Sequence, residues 1–199
     1  MVTKKKLSKI ISRRFSKNKI SLQTDFVAVE SPLELSLQLN NNDLENVAIL
    51  MRTPGDDKKL IMGFLLTEGI FDMDELKNIS LFEDNDKYII KTNSNLTPDI
   101  SKLKRNFISN SSCGICGKEV IDEILKILPK SKESGCSIEP KNIVEICEKM
   151  RLGQKIFEKT GGVHAIALFS DKGEIISIEE DVGRHNAFDK AIGDAIING

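Results

Sequence analysis

An α/β domain built on a mixed sheet flanked by helices, with a β-rich N-terminal portion, is the architecture that this 199-residue sequence predicts. Three observations point there. Short runs alternate apolar and polar residues with period two, longer runs repeat apolar residues at helical spacing, and the two kinds interleave along the chain. The length suits one ordinary domain with its own core. A composition that is 40% hydrophobic, 30% charged and 5% aromatic, with no Trp, fits a folded protein in water and argues against the disordered and membrane classes.

The first twenty residues hold Lys4, Lys5, Lys6, Lys9, Arg13, Arg14, Lys17 and Lys19 without one Asp or Glu. A run of like charges is usually a solvated tail, so residues 1–22 are expected to be basic and mobile, and the domain to occupy residues 23–199. The alternative is an arm that binds nucleic acid or an acidic partner.

From Asp25 the chain reads DFVAVE, and after Pro32 the residues Leu33, Leu35, Leu37 and Leu39 alternate with Glu34, Ser36 and Gln38, the pattern of a half-buried strand. A polar cluster at residues 40–43 ends it, and residues 47–51 read as a further short strand. In RTPGDDKKLIMGFLLTEG, residues 52–69, a strand passes into a helix. Thr53 is the expected cap, Pro54 suits the first turn, and Asp56 and Asp57 favour the positive end of the helix dipole. Leu60, Ile61, Phe64 and Leu65 form the apolar stripe, and Gly69 is expected to end the helix.

Weak strand signals at 79–82 and 88–92 precede a cysteine loop, after which Val120, Ile121, Ile124, Leu125 and Leu128 recur at helical spacing up to Pro129. A further helix is expected from about Pro140 to Gly161 and Gly162, with Ile143, Ile146, Cys147, Met150 and Phe157 on one face and Cys147 as a small core hydrophobe. VHAIALF, a DKG turn and EIISIEED predict a hairpin, and NAFDKAIGDAIIN predicts a helix after the tight VGRH link.

Three stretches carry chemistry. In SSCGICGKEV, residues 111–120, Gly114 and Gly117 follow Cys113 and Cys116, leaving the backbone open to an approaching partner. With the helix starting near Gly117, both thiols lie at its positive end beside Lys118, which favours thiolate. The spacing equally allows a disulfide or half of a zinc site. Zinc would need further ligands from Cys136, Cys147, His164 and His185, and no second C-x-x-C exists, so no metal is expected. A zinc deaminase would also need a glutamate where Ile166 stands.

In TGGVHAIALF, residues 160–169, Gly161 and Gly162 are either a helix exit or a corner where a ligand approaches the backbone with His164 at its edge. In EEDVGRHNAFDK, residues 179–190, Arg184 and His185 beside free helix amides would suit an anion, unless Asn186 is simply the cap and Asp181 pairs with Arg184. Four cysteines are too few for a stapled secreted scaffold, no signal region opens the chain, and no apolar run approaches the ~20 residues of a membrane span. A reducing, cytoplasmic location is expected, with neither membrane nor nucleic acid as a partner.

Taken in order, ESPLELSLQL, MRTPGDDKKLIMGFLLTEG, SSCGICGK, TGGVHAIALF and EDVGRHNAFDKAIG resemble the formate dehydrogenase accessory sulfurtransferases, the FdhD family. The resemblance runs from about residue 25 to residue 199. It implies a cytidine-deaminase-like α/β fold, a homodimer and no cofactor of its own. It also implies an enzyme that takes sulfur from a cysteine desulfurase and passes it to the molybdenum bis-guanylyl molybdopterin cofactor, bound as substrate, for formate dehydrogenase. By resemblance Cys113 is the persulfide carrier and Cys116 an assisting thiol, while Asp56, Asp57, Gly161, Gly162, His164, Arg184 and His185 are candidates for the cofactor-binding surface. Family members continue past the AIG helix, so the domain is expected to be C-terminally incomplete. A noncatalytic cofactor-binding chaperone and a dithiol oxidoreductase are the alternative readings.

Overall fold

The computed structural model describes residues 5–16, 19–38, 43–92 and 137–199. Strands β1 (Leu7–Ser16) and β2 (Lys19–Ala28) pair antiparallel as a long hairpin, closed at its base where the Val29 N–H donates to the Lys6 carbonyl at 3.0 Å. Within the segment expected to be a solvated tail, Leu7–Ser16 is strand and Lys19 begins the next; Lys9, Arg13, Arg14 and Lys19 are exposed, so their charge stays in solvent while the backbones pair.

Next come β3 (Ser31–Gln38), β4 (Leu44–Arg52), helix α1 (Asp57–Thr67), the single turn α2 (Met73–Leu76), β5 (Ile79–Asp84) and β6 (Lys87–Thr92). The four strands form a mixed sheet in the order β4-β3-β6-β5, in which β3 and β6 run parallel and the other pairs antiparallel. The alternation in β3 aims Leu33, Leu35 and Leu37 into the core, where they meet Val47 and Ala48 of β4, Tyr88 and Ile90 of β6, and Leu60, Ile61 and Leu65 of α1. Phe64 joins the rim of that core, as the helical stripe anticipates. Thr53 is not the cap of α1. Asp56 takes that position in the left-handed region at φ 57°, which Asp tolerates better than most residues, and its carboxylate pairs with Lys6.

The last portion contains α3 (Pro140–Gly153), α4 (Lys155–Thr160), the antiparallel hairpin of β7 (His164–Phe169) and β8 (Ile175–Asp181), and α5 (Arg184–Asn198). The single helix expected over 140–161 is broken at Gln154, whose ψ is 71°. A new helix begins there because the Glu180 carboxylate accepts from the N–H groups of Ile156 and Phe157, both at 2.8 Å, and so caps α4 from a neighbouring strand. Gly161, at φ 61°, ends α4 in the left-handed region, its N–H donating to the Phe157 carbonyl. The expected burial of Cys147 does not occur; the thiol is exposed. Helix α3 meets the β7–β8 hairpin through Asn142 and Ile146, near Gly173, and through Gly153, near Ile178. One residue beyond Ile146, the helical twist turns Cys147 about 100° away from that contact.

Helix α5 packs against α1 on one side and the β7–β8 hairpin on the other. Asp189 faces this interface, 8% exposed, and accepts a hydrogen bond from Thr67 Oγ1 at 2.8 Å. Burial pushes its carboxyl up to about 6, Thr67 opposes that and Glu68 adds to it. Because the folded state holds the proton more tightly than the unfolded chain, this group favours folding fully below the unfolded value of 3.8, and the contribution is lost as pH rises through about 6. Asp189→Asn is therefore expected to match the parent protein near pH 4 and to exceed its stability by about 2 kcal/mol near pH 7. Urea unfolding at the two pH values checks this; a difference independent of pH would count against it.

Candidate functional site

The loop between β4 and α1 and the turn between β8 and α5 are bound into one buried polar cluster. Asp181, the last residue of β8 and 0% exposed, is its centre. Its Oδ2 pairs with Lys190 Nζ at 2.7 Å and accepts the Thr53 N–H at 3.0 Å, while its Oδ1 accepts the Gly183 N–H at 2.9 Å and Asn186 Nδ2 at 3.1 Å. Lys190, 1% exposed, also donates to the Thr53 carbonyl at 2.9 Å. Thr53 Oγ1 accepts the Val182 N–H at 3.0 Å, and Asn186 Nδ2 donates to the Met51 carbonyl at 2.6 Å. Thr53, expected to cap α1, instead uses its N–H, carbonyl and hydroxyl to fasten the loop to β8 and α5. Asn186 does not cap α5, and Asp181 spends its carboxylate on Lys190 and three N–H donors.

A second cluster holds the loop from the sheet side. Arg52 is fully buried and donates to Asp57 through Nε at 2.9 Å and Nη2 at 3.0 Å, to Asp86 at 2.9 Å, and to the hydroxyl and carbonyl of Ser31. The bidentate geometry fixes the first turn of α1. A third connection crosses from α1 to β8 and α5, where Lys59 Nζ meets Glu179 at 2.6 Å and Asp194 at 2.8 Å. Burial would lower the Lys59 amine, but the two carboxylates prevail and hold it above its usual value.

The residues singled out by sequence gather around this junction. His164 opens β7 directly opposite Asp181 in the strand register, Gly161 and Gly162 precede it, and Arg184 and His185 open α5. All five are exposed. Asp57 faces inward to Arg52, and Asp56 pairs with Lys6. Cys113 and Cys116, the helix expected after them and the candidate ligand Cys136 lie outside the described residues. Among the described residues no group of three or more His, Cys, Asp or Glu is arranged to hold a metal ion, and no helix is long and apolar enough to cross a membrane.

Sequence reasoning missed Lys190, and it gave Thr53 the role of a helix cap rather than that of a tie to β8 and α5. The available signal was a lysine at helical spacing inside an otherwise small, apolar face: Ala187, Lys190 and Ala191 share one stripe and all are buried. A lysine there demands a buried carboxylate.

A family model described as the FdhD/NarQ family matches residues 28–199. The chain is 43% identical over 174 residues to a protein of Picrophilus torridus named sulfur carrier protein FdhD, covering 87% of this chain and 65% of that one. It is 43% identical to the protein of the same name from Sulfolobus acidocaldarius, covering 86% and 62%, and 38% identical to that of Streptomyces avermitilis, covering 90% and 66%. It thus spans just under two thirds of the length of these relatives. A crystal structure from Desulfotalea psychrophila, described as a formate dehydrogenase accessory protein, superposes with a TM-score of 0.69 at 19% identity, covering 98% of this chain and 70% of that one. That likeness bears on the fold, and the sequence matches bear on descent: the chain belongs to the FdhD/NarQ family.

Proposed function

We propose that this chain is a sulfur carrier that serves formate dehydrogenase, with Cys113 as the atom carrier. The observation that carries the reading is the identity of 38–43% with proteins named sulfur carrier protein FdhD over most of this chain. The Cys113 thiolate attacks the outer sulfur of a cysteine desulfurase persulfide; the new S–S bond forms as the donor's S–S bond breaks, and the donor cysteine leaves as thiolate. Cys113 then holds S–SH, with Cys116 as assisting thiol. The acceptor is the molybdenum bis-guanylyl molybdopterin cofactor, a substrate here, and the carrier acts in the cytoplasm as a homodimer.

The junction around Asp181 supports a cofactor-facing surface at this end of the molecule. Arg184 and His185 open α5 there, a helix N-terminus being a place where phosphate is favoured, and the glycine corner leads into His164, opposite Asp181 in the strand register. After incubation with a cysteine desulfurase and cysteine, the intact protein is expected to gain about 32 mass units, removable by a reductant and absent in Cys113→Ala. Retention of the added sulfur in Cys113→Ala would move the carrier role to another thiol. No gain in the parent protein, with cofactor binding intact, would favour a noncatalytic chaperone.

A further inference from the structure

All of the β1–β2 hairpin but Ala28 lies before the family match, which begins at residue 28, and the sulfur-carrier reading gives it no task. Its register puts Ile11, Phe15, Ile20 and Leu22 on one face with Arg13 among them, and the four apolar side chains are between 63% and 76% exposed. An apolar strip of this size marks an interaction surface, and a two-stranded hairpin is at best marginal without cover.

Charge indicates what covers it. Residues 1–28 carry eight Lys and Arg against the single Asp25, and the whole chain has a formal net charge of −1, which leaves the rest of the chain at −8. Two hairpins pairing through these faces would bring Arg13 against like charge. Among the described residues the hairpin is a two-stranded sheet, whose outer backbone edges a bilayer would have to accept. The body of a second copy instead offers opposite charge. Among the described residues strand β5 lies at the edge of the four-stranded sheet, with Phe82, 49% exposed, carrying Lys91 Nζ 4.5 Å from its ring centroid and standing next to the acidic Glu83 and Asp84. Leu7 and Lys9 at the hairpin root share one cleft with Asp86 of the β5–β6 turn, so the basic arm and the acidic edge lie at the same end of the molecule, as a two-fold exchange requires.

We propose that the β1–β2 hairpin docks, apolar face inward, against the acidic β5 edge of a second copy of this chain, each copy lending its arm to the other. This deepens the homodimer reading above and rests on it.

Sedimentation velocity of the full chain tests it. The parent protein is expected to be a dimer whose dissociation constant rises at least tenfold between about 0.05 M and about 0.5 M salt, as screened charge pairs require. Phe15→Ser with Leu22→Ser, Arg13→Glu, and Glu83→Lys with Asp84→Lys are each expected to weaken the dimer at least tenfold, with circular dichroism confirming that each stays folded. Mixing the second and third variants restores opposite charge at both contacts and should recover the dimer. A dimer that ignores salt and all three variants would overturn the hairpin contact while leaving a homodimer in place, and a monomer throughout would overturn both. Failure of the mixture to recover, or binding of the monomer to phosphatidylglycerol vesicles that the first two variants abolish, would overturn this docking site. Persulfide formation on Cys113, measured on the same samples, scores the sulfur-carrier reading separately.

Discussion

Gly193→Ala is expected to destabilise the protein by on the order of 3 kcal/mol. A Cβ at this position would lie 1.8 Å from the Lys59 carbonyl oxygen and 3.0 Å from the Gly63 nitrogen, and a Cβ on Gly63 would lie 1.9 Å from the Asp189 carbonyl oxygen. The obstacles are backbone atoms on both sides, so no side-chain rotation relieves them and α1 must move off α5. Alanine gains about 1 kcal/mol of helix propensity over glycine, while overpacking of this severity costs about 3 kcal/mol or more, so the clash decides the sign. Separation of the helices also strains the Lys59 bridge to Glu179 and Asp194, which adds to the loss. Gly63→Ala should behave alike. Gly162→Ala, where the nearest atom is 3.8 Å away, should stay within about 0.5 kcal/mol of the parent. Urea unfolding of the three variants checks the series, and a Gly193→Ala protein as stable as Gly162→Ala would show that the two helices do not approach this closely.

Local pattern explains why some of this was readable in the sequence. Leu33, Leu35 and Leu37 alternate because β3 sits between two other strands and aims them at one core, and the β7–β8 hairpin shows itself through a DKG turn between two apolar runs. The N-terminal hairpin lacks that alternation, with Ile10 beside Ile11 and Arg13 beside Arg14, and its charge density favoured a tail; strand pairing is compatible with that charge because Lys9, Arg13, Arg14 and Lys19 are all exposed. Cys147 misled because a helix presents several plausible stripes, and only the contact with Gly173 and Ile178 selects the one through Ile146. The glycine corner, His164, Arg184 and His185 were legible as a group, since each stands at the end of a predicted element. What held them was not legible. Thr53 meets Asp181 and Lys190 across 128 and 137 residues, and no local spacing encodes such a meeting.

Lys190→Met is expected to cost about 3–5 kcal/mol, the usual consequence of stripping the partner from a buried charge. The methionine fits the volume and the small apolar face of Ala187 and Ala191, so packing alone would tolerate it. The loss comes from Asp181, which keeps three N–H donors but no compensating cation in a place with 0% exposure. Asp181→Asn should cost a similar amount for a different reason. All four of its contacts are donors, two to each oxygen, and an amide nitrogen in place of either oxygen would face Thr53 and Lys190 or Gly183 and Asn186 donor to donor. The double variant removes the charge and its partner together, so its cost should fall below the sum of the two by at least about 1 kcal/mol. Unfolding of all four proteins in urea supplies that cycle. Strict additivity would mean that Lys190 and Asp181 act independently, and the Thr53 loop would then owe its position to Arg52 and Asp57 rather than to α5. With coupling present, loosening the pair frees the loop and the Arg184–His185 turn at once, which ties the stability of α5 to the shape of the surface proposed to receive the cofactor.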